Sequence, residues 1–229
     1  MKSSAVTLEV ATARLRARLD NSAAAKPLSS ANFGSPKLAN RAKAAVLVPL
    51  FEEEEGGDGL SVWLTKRSEV NVSTHKGEVS LPGGKGEEDE DCYQTAVREA
   101  REEVGIGEEH VNLIGCLPPV LSKHGLVVSP VVATLTKEAP EPRVQTPETE
   151  VVFKVPLSIF NRECDRARHR SKLYSWNTTP YTLHFFDYED DAGQAHTIWG
   201  LTAYILIEVA EIVYGAKPYF PKHVNASKY

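Results

Sequence analysis

Apolar and polar positions along this chain change period several times, and each change predicts an element. Ala44 to Phe51 is an apolar run of strand length, ended by the loop Glu52 to Gly59, whose four glutamates read as solvated turn residues. Leu60 to Arg67 predicts a second strand, with Val62 and Leu64 on one side. Val111 to Leu117 and Leu126 to Leu135 are further apolar, β-branched segments. Thr136 to Pro147 carries Pro140, Pro142 and Pro147 and reads as a long surface loop. Val151 to Val155 then leads into a short helix near Pro156 to Asn161, and Tyr181 to Tyr188 with Gln194 to Trp199 predicts a hairpin around Asp190 to Gly193.

Two stretches have helical character in this region. Cys92 to Val104 contains good helix formers and no Gly or Pro, with Asp89, Glu90 and Asp91 at its start, where the helix dipole favours anions, and Gly105 just past its end. Leu201 to Tyr214 is apolar on most sides, but with Glu208, Glu211 and only about 14 residues it reads as a core helix rather than a membrane span. From Lys43 onward this order of elements predicts one α/β domain without internal repeats. We divide the chain into an N-terminal helix and linker (1–40), a main domain (41–215) and a C-terminal tail (216–229).

Composition sharpens the picture. With 229 residues, 41% of them hydrophobic, the chain can bury one sizeable core. Its net charge of -5 is uneven: residues 1–43 hold eight Lys or Arg against Glu9 and Asp20, which leaves about -11 on the rest. An acidic main domain argues against nucleic-acid binding. Cys92, Cys116 and Cys164 are odd in number and lack CxxC spacing, so neither a disulfide framework nor a zinc site is indicated, and a reducing intracellular compartment fits. No apolar run approaches the roughly 18 residues of a membrane span. Leu8 to Leu19 has near-helical apolar spacing with Arg14, Arg16 and Arg18 between, followed by a Ser, Ala and Asn-rich stretch to Asn32. That composition suits an organellar transit peptide; we prefer an ordinary N-terminal helix and linker. Ser227-Lys228-Tyr229 resembles the peroxisomal Ser-Lys-Leu signal but ends in Tyr. Cytoplasm, mitochondrion and peroxisome therefore all stay open.

The chemistry concentrates in the Cys92 to Val104 helix. Glu99, Glu102 and Glu103 are related by three and four residues, so their carboxylates share one face. Like charges at that spacing destabilise a bare helix by about 0.2–0.5 kcal/mol per pair. A divalent cation such as Mg2+ would make use of such hard oxygen ligands; the plainer alternative is a solvated acidic face.

The wider motif favours the cation. Gly84, Glu90, Arg98, Glu99, Glu102, Glu103 and Gly105, with Ala100 and Ile106 at small or aliphatic positions, match without a gap the Nudix box: G, five residues, E, seven residues, REUXEEXGU, where U is aliphatic. This segment resembles the Nudix hydrolase family. The resemblance implies an α/β fold with a mixed β-sheet sandwiched between helices (α/β/α), and Mg2+-dependent hydrolysis of a nucleoside diphosphate linked to another group, with Mn2+ an alternative ion. Upstream, Trp63 to Gly84 resembles the signature of the coenzyme A diphosphatase branch at Leu64, Thr65, Arg67, Ser68, Gly77, Pro82, Gly83 and Gly84. It departs from that signature in three ways: eight residues separate Ser68 from Gly77 instead of seven, no internal Arg is present, and Leu81 replaces Phe. Pro147, Glu148, Val152 to Leu157, Phe186 to Tyr188 and Ile198 to Ala203 also resemble this branch, closest to its eukaryotic, plant-like members.

The resemblance implies roles. Glu99 and Glu103, with Glu102 assisting and the Gly84 carbonyl joining, would hold the metal. Arg98 cannot lose its proton and would orient a box glutamate such as Glu90. The base that activates water is Glu99, or Glu148 or Glu150 reaching in from the Pro-rich loop. Pro82-Gly83-Gly84 offers backbone without side chains to phosphate or metal. Lys66, Arg67, His75 and Lys123 are candidates for substrate contacts, beside Lys76, and Lys66 and Lys76 read equally well as surface charge. The expected substrate is coenzyme A or its acyl esters, cut to adenosine 3',5'-bisphosphate and (acyl-)4'-phosphopantetheine. Alternatives are another diphosphate such as ADP-ribose, NADH or an oxidised nucleotide, and a non-catalytic nucleotide-binding module. A homodimer is compatible with the branch.

Overall fold

The axis of the main sheet is strand β1 (Lys43–Glu52), and its composition explains its place. Ala45 and Leu47 belong to one hydrophobic core, Val48 and Leu50 to another, so successive residues serve opposite faces of the sheet. A strand covered on both faces reads as a continuous apolar run. The computed structural model describes residues 6–20, 42–53, 59–71, 76–163, 167–176 and 179–222.

Strand β7 (Val127–Leu135) runs parallel to β1 along one edge, from Lys43 opposite Val127 to Leu50 opposite Thr134. The other edge of β1 is shared. Its end pairs antiparallel with β2 (Leu60–Arg67), and its beginning with β4 (Gly83–Lys85). Strand β2 in turn pairs with β3 (Val79–Ser80) and, on its far edge, with β8 (Thr149–Pro156). Two strands, β5 (Val111–Cys116) and β6 (Val120–Leu121), pair with β7 and complete a mixed sheet. A separate antiparallel sheet consists of β9 (Ala167–Trp176), β10 (Thr179–Glu189) and β11 (Ala195–Trp199).

Helices cover both faces. On one, α2 (Cys92–Val104) packs Ala96, Val97, Ala100 and Val104 against Ala45, Leu47, Val131 and Ala133. On the other, α3 (Gly200–Tyr214) buries Ala203, Leu206, Val209, Ala210 and Val213 beside Leu50, Val62, Leu64 and Val155. Helix α1 (Leu8–Asp20) joins this second core through Ala11, Leu15 and Leu19, spaced by four residues on one stripe. Arg14 Nη1 donates to the Val213 carbonyl at 2.6 Å, satisfying an otherwise orphaned acceptor in the last turn of α3. Past α3, Phe220 is buried and stacks on His169 of β9 at 3.9 Å between ring centroids.

The expected α/β/α architecture is the one observed, with β2 and α2 at their predicted bounds. Strand β9 had no forecast: nearly all of its side chains are exposed or half-buried, so periodicity carried no signal and pairing to β10 makes the strand. Strands β3, β4 and β6 are two or three residues long, below what a hydrophobic pattern can mark. No helix among the described residues is long and apolar enough to cross a membrane. The Ser-rich stretch after α1 and Ser227 to Tyr229 lie outside the described residues.

The packing of α1 predicts that Leu15→Ala, at a fully buried site, lowers unfolding free energy by about 2–5 kcal/mol in urea denaturation. Val10→Ala on the exposed side should cost about 0.5 kcal/mol or less. Equal effects would contradict docking of α1 on the core.

Candidate active site

Helix α2 is held at both ends. Asp91 accepts from the Gln94 backbone N–H at 2.8 Å, while Gln94 Oε1 accepts from the Asp91 N–H at 2.9 Å, a reciprocal capping box. Gly105, left-handed at φ 76°, ends the helix by donating to the Arg101 carbonyl at 3.1 Å. Between these caps, the small residues Ala96 and Ala100 let α2 lie close to β1. Glu99 and Glu103 are thereby brought to the turn Pro82-Gly83-Gly84, which enters β4.

At Gly83 that turn admits no side chain, and at Gly84 a side chain would displace the Glu99 carboxylate. Gly83 has φ 155°, and a Cβ there would lie 2.3 Å from the Ala45 carbonyl oxygen. At Gly84 a Cβ would lie 2.4 Å from the carboxyl carbon of Glu99. The Gly83 N–H donates to Glu103 Oε2 at 3.1 Å. Glu103 is only 7% exposed, and burial pushes its carboxyl up to about 7, against the favourable pull of the Gly83 N–H and of Arg67. Burial raises Glu99 as well, countered by Arg98 and reinforced by Glu102 and Glu90. Glu102 is more open, with its side chain 59% exposed and its carboxylate 3.5 Å from Arg98.

Arg98 organises the acidic cluster. Its Nε and Nη2 donate to the two oxygens of Glu90 at 2.7 and 3.1 Å, Nη1 donates to Glu99 at 3.0 Å, and Nη2 also reaches the Lys85 carbonyl at 3.0 Å. These bonds, with the Glu87 N–H and Thr95 hydroxyl, hold the Glu90 carboxyl down to about 2. Arg67 closes the other side, 3.7 Å from Glu103 and 3.0 Å from Glu148. Among the described residues its buried Nε has no hydrogen-bond partner.

The sequence-predicted residues thus fall into two groups. Glu99, Glu102, Glu103, Arg98, Gly83, Gly84, Arg67 and Glu148 form one chain of contacts around the glycine turn. Lys66 and Lys123 do not join it. Lys66, next to Arg67 on β2, pairs with Glu150 at 2.8 Å. Lys66 and Lys76 line a cavity of about 400 Å3 with Glu78 and Trp199. Lys123 pairs with Glu78 at 2.8 Å and lies 4.9 Å from the Trp199 ring centroid. His75 lies outside the described residues. Glu78, Thr95 and the Lys85 carbonyl enter these networks without any motif having marked them, because their partners are distant in sequence.

A family model described as NUDIX domain matches residues 41–176. The chain belongs to the Nudix family. It is 44% identical to Nudix hydrolase 15, mitochondrial, of Arabidopsis thaliana over 189 residues, covering 82% of this chain and 64% of that protein. It is also 44% identical to Nudix hydrolase 22, chloroplastic, of the same plant, covering 82% and 60%. The Nudix chain described here therefore spans somewhat under two thirds of the length of these two relatives. An uncharacterized Nudix hydrolase NudL of Enterobacter sp. (strain 638) is 36% identical, with 78% and 86% covered.

Among the described residues no three His, Cys, Asp or Glu side chains form a ready-made metal cage. The Nudix glutamates are instead drawn toward Arg98, Arg67 and the Gly83 N–H. The donor set nevertheless fits a hard cation. Two largely buried carboxylates, both raised by burial, sit one helical turn apart beside a turn whose backbone is bare. Glu99 and Glu103 would hold Mg2+, with Glu102 on the solvent side.

The raised Glu103 carboxyl predicts a pH dependence for the metal-free protein. Because the folded state keeps this proton up to about pH 7 and the unfolded state releases it near 4.5, stability falls as pH rises through that window. The loss is at most about 3 kcal/mol at 1.36 kcal/mol per pKa unit. Urea denaturation in EDTA at pH 5 and pH 8 should show this loss in wild type and a clearly smaller one in Glu103→Gln, where only the raised Glu99 remains.

Proposed function

We propose that this chain is a Mg2+-dependent diphosphate hydrolase acting on coenzyme A and its acyl esters, yielding adenosine 3',5'-bisphosphate and (acyl-)4'-phosphopantetheine. The observation that carries the reading is the apposition of Glu99 and Glu103 to the bare Gly83-Gly84 turn, with the unpaired Arg67 Nε beside them. The branch-like residues Leu64, Thr65, Arg67, Ser68, Gly77 and Pro82 support the substrate assignment.

A bound Mg2+ would neutralise charge on the diphosphate and acidify the attacking water. The chain's own groups do the rest. Arg98 holds Glu99 in place and keeps Glu90 ionised. Arg67, which cannot deprotonate, brings a fixed positive charge to the phosphate beside Glu103 and Glu148. Glu99 is committed to Arg98 and the cation, and Glu150 is turned to Lys66. Glu148 is also paired, with Arg67 at 3.0 Å, but it is the most exposed of the three, and we assign it to accept the proton of the water that attacks phosphorus. The bond between that phosphorus and the bridging oxygen breaks, and the second phosphate leaves. The two plant relatives bear mitochondrial and chloroplastic names. We place this chain inside the cell on the same grounds.

A product assay with Mg2+ tests the proposal. Coenzyme A should give adenosine 3',5'-bisphosphate and 4'-phosphopantetheine, and Glu103→Gln should lower kcat/KM by about 100-fold or more while keeping the far-ultraviolet spectrum. Turnover of ADP-ribose, NADH or an oxidised nucleotide but not coenzyme A would replace the substrate assignment. Full activity in Glu103→Gln would overturn the metal assignment.

A further inference from the structure

Cys92 and Cys116 are far apart in sequence, yet their sulfurs lie 3.3 Å from each other. Cys92 is the first residue of α2, immediately after the Asp91 cap, and Cys116 is the last residue of β5. Both are half-buried at the margin of the core beneath α2, beside Tyr93 and Val111, so neither is sealed from a small solute. Sulfur atoms at this separation need to close by only about 1.3 Å to reach covalent length. The two side chains come from different elements, a helix start and a strand end. A bond between them would therefore tie the Nudix helix to the sheet instead of merely joining neighbours on one turn.

We propose that Cys92 and Cys116 form a reversible intramolecular disulfide when the protein meets a low-molecular-weight disulfide such as oxidised glutathione. We assign the first attack to Cys92, which opens α2 beside the exposed Asp91 and Gln94, while burial pushes the Cys116 thiol up. Cys92 loses its proton to solvent and attacks one sulfur of the oxidant, forming a mixed disulfide and releasing one thiolate. Cys116 then loses its proton and attacks the Cys92 sulfur, expelling the second thiolate. Two protein thiols are oxidised to one disulfide, and one small disulfide is reduced to two thiols. Each external step needs access, which the half-buried position of Cys92 supplies. The second step is internal, and the 3.3 Å separation favours it over release or accumulation of the adduct.

The bridge closes a loop spanning 24 positions and anchors the start of the helix that carries Glu99 and Glu103. It should raise Tm by about 5 °C through restriction of the unfolded chain. This inference is independent of the substrate: it rests on two sulfurs and their elements, and holds whether or not coenzyme A is cleaved.

The test uses the full chain incubated with oxidised glutathione, then alkylated and digested without reductant for mass spectrometry. Thiol titration in denaturant should fall by two, a Cys92–Cys116 linked peptide should appear, and dithiothreitol should restore both thiols and the original Tm. Cys116→Ser should instead accumulate glutathione on Cys92, and Cys92→Ser should yield no linked peptide containing Cys116. Stable glutathione adducts on wild-type Cys92 without a linked peptide, a bridge to Cys164 in preference to Cys116, or both thiols remaining free would each overturn the proposal.

Discussion

The glycine turn and the Glu99 carboxylate of the Nudix helix lie in close contact, and most of the site follows from that closeness. A Cβ at residue 84 would lie 2.4 Å from the Glu99 carboxyl carbon, so glycine lets backbone and carboxylate meet without displacing the Glu99 side chain. Gly83 makes the same approach to β1 on its other side, where its absent side chain would strike the Ala45 carbonyl. The helix reaches this position because Ala96 and Ala100 let it settle on the sheet, and because Asp91, Gln94 and Gly105 fix where it starts and stops. Sheet, turn and helix are thus held at one separation by the smallest residues available.

The consequence is electrostatic. Burying Glu103 and much of Glu99 near each other opposes ionisation of both. Three local devices oppose that cost: the Gly83 N–H and Arg67 on Glu103, and Arg98 on Glu99. They do not remove it, since burial still leaves both carboxyls raised. A small, hard cation would relieve that cost, in keeping with the proposed role for Mg2+. Two of the four Arg98 hydrogen bonds go to Glu90, which explains why a glutamate eight residues away belongs to the same motif: it anchors the arginine that positions Glu99.

Much of this was legible in the sequence where the information is local. The bounds of α2, its C-terminal glycine and the common face of three glutamates follow from helical spacing, and β2 follows from its apolar pattern. The pairing of Arg98 with Glu90 was also foreseeable, because a motif placed both. What could not be read depends on contacts between distant segments. The polar strand β9 is defined by β10 rather than by its own residues. The ion pairs of Lys66 with Glu150 and of Lys123 with Glu78 likewise join segments distant in sequence. Cys92 and Cys116 gave no disulfide spacing in sequence, and only the packing of α2 beside β5 brings them together.

The central claim is that Glu99 and Glu103 hold a divalent cation because Gly84 leaves them room. Electron paramagnetic resonance titration with Mn2+ tests this directly on wild type and Gly84→Ala. Wild type should bind the ion, and Gly84→Ala should bind it at least about 10-fold more weakly while remaining folded. Equal binding by the two proteins, or none by wild type, would contradict the account.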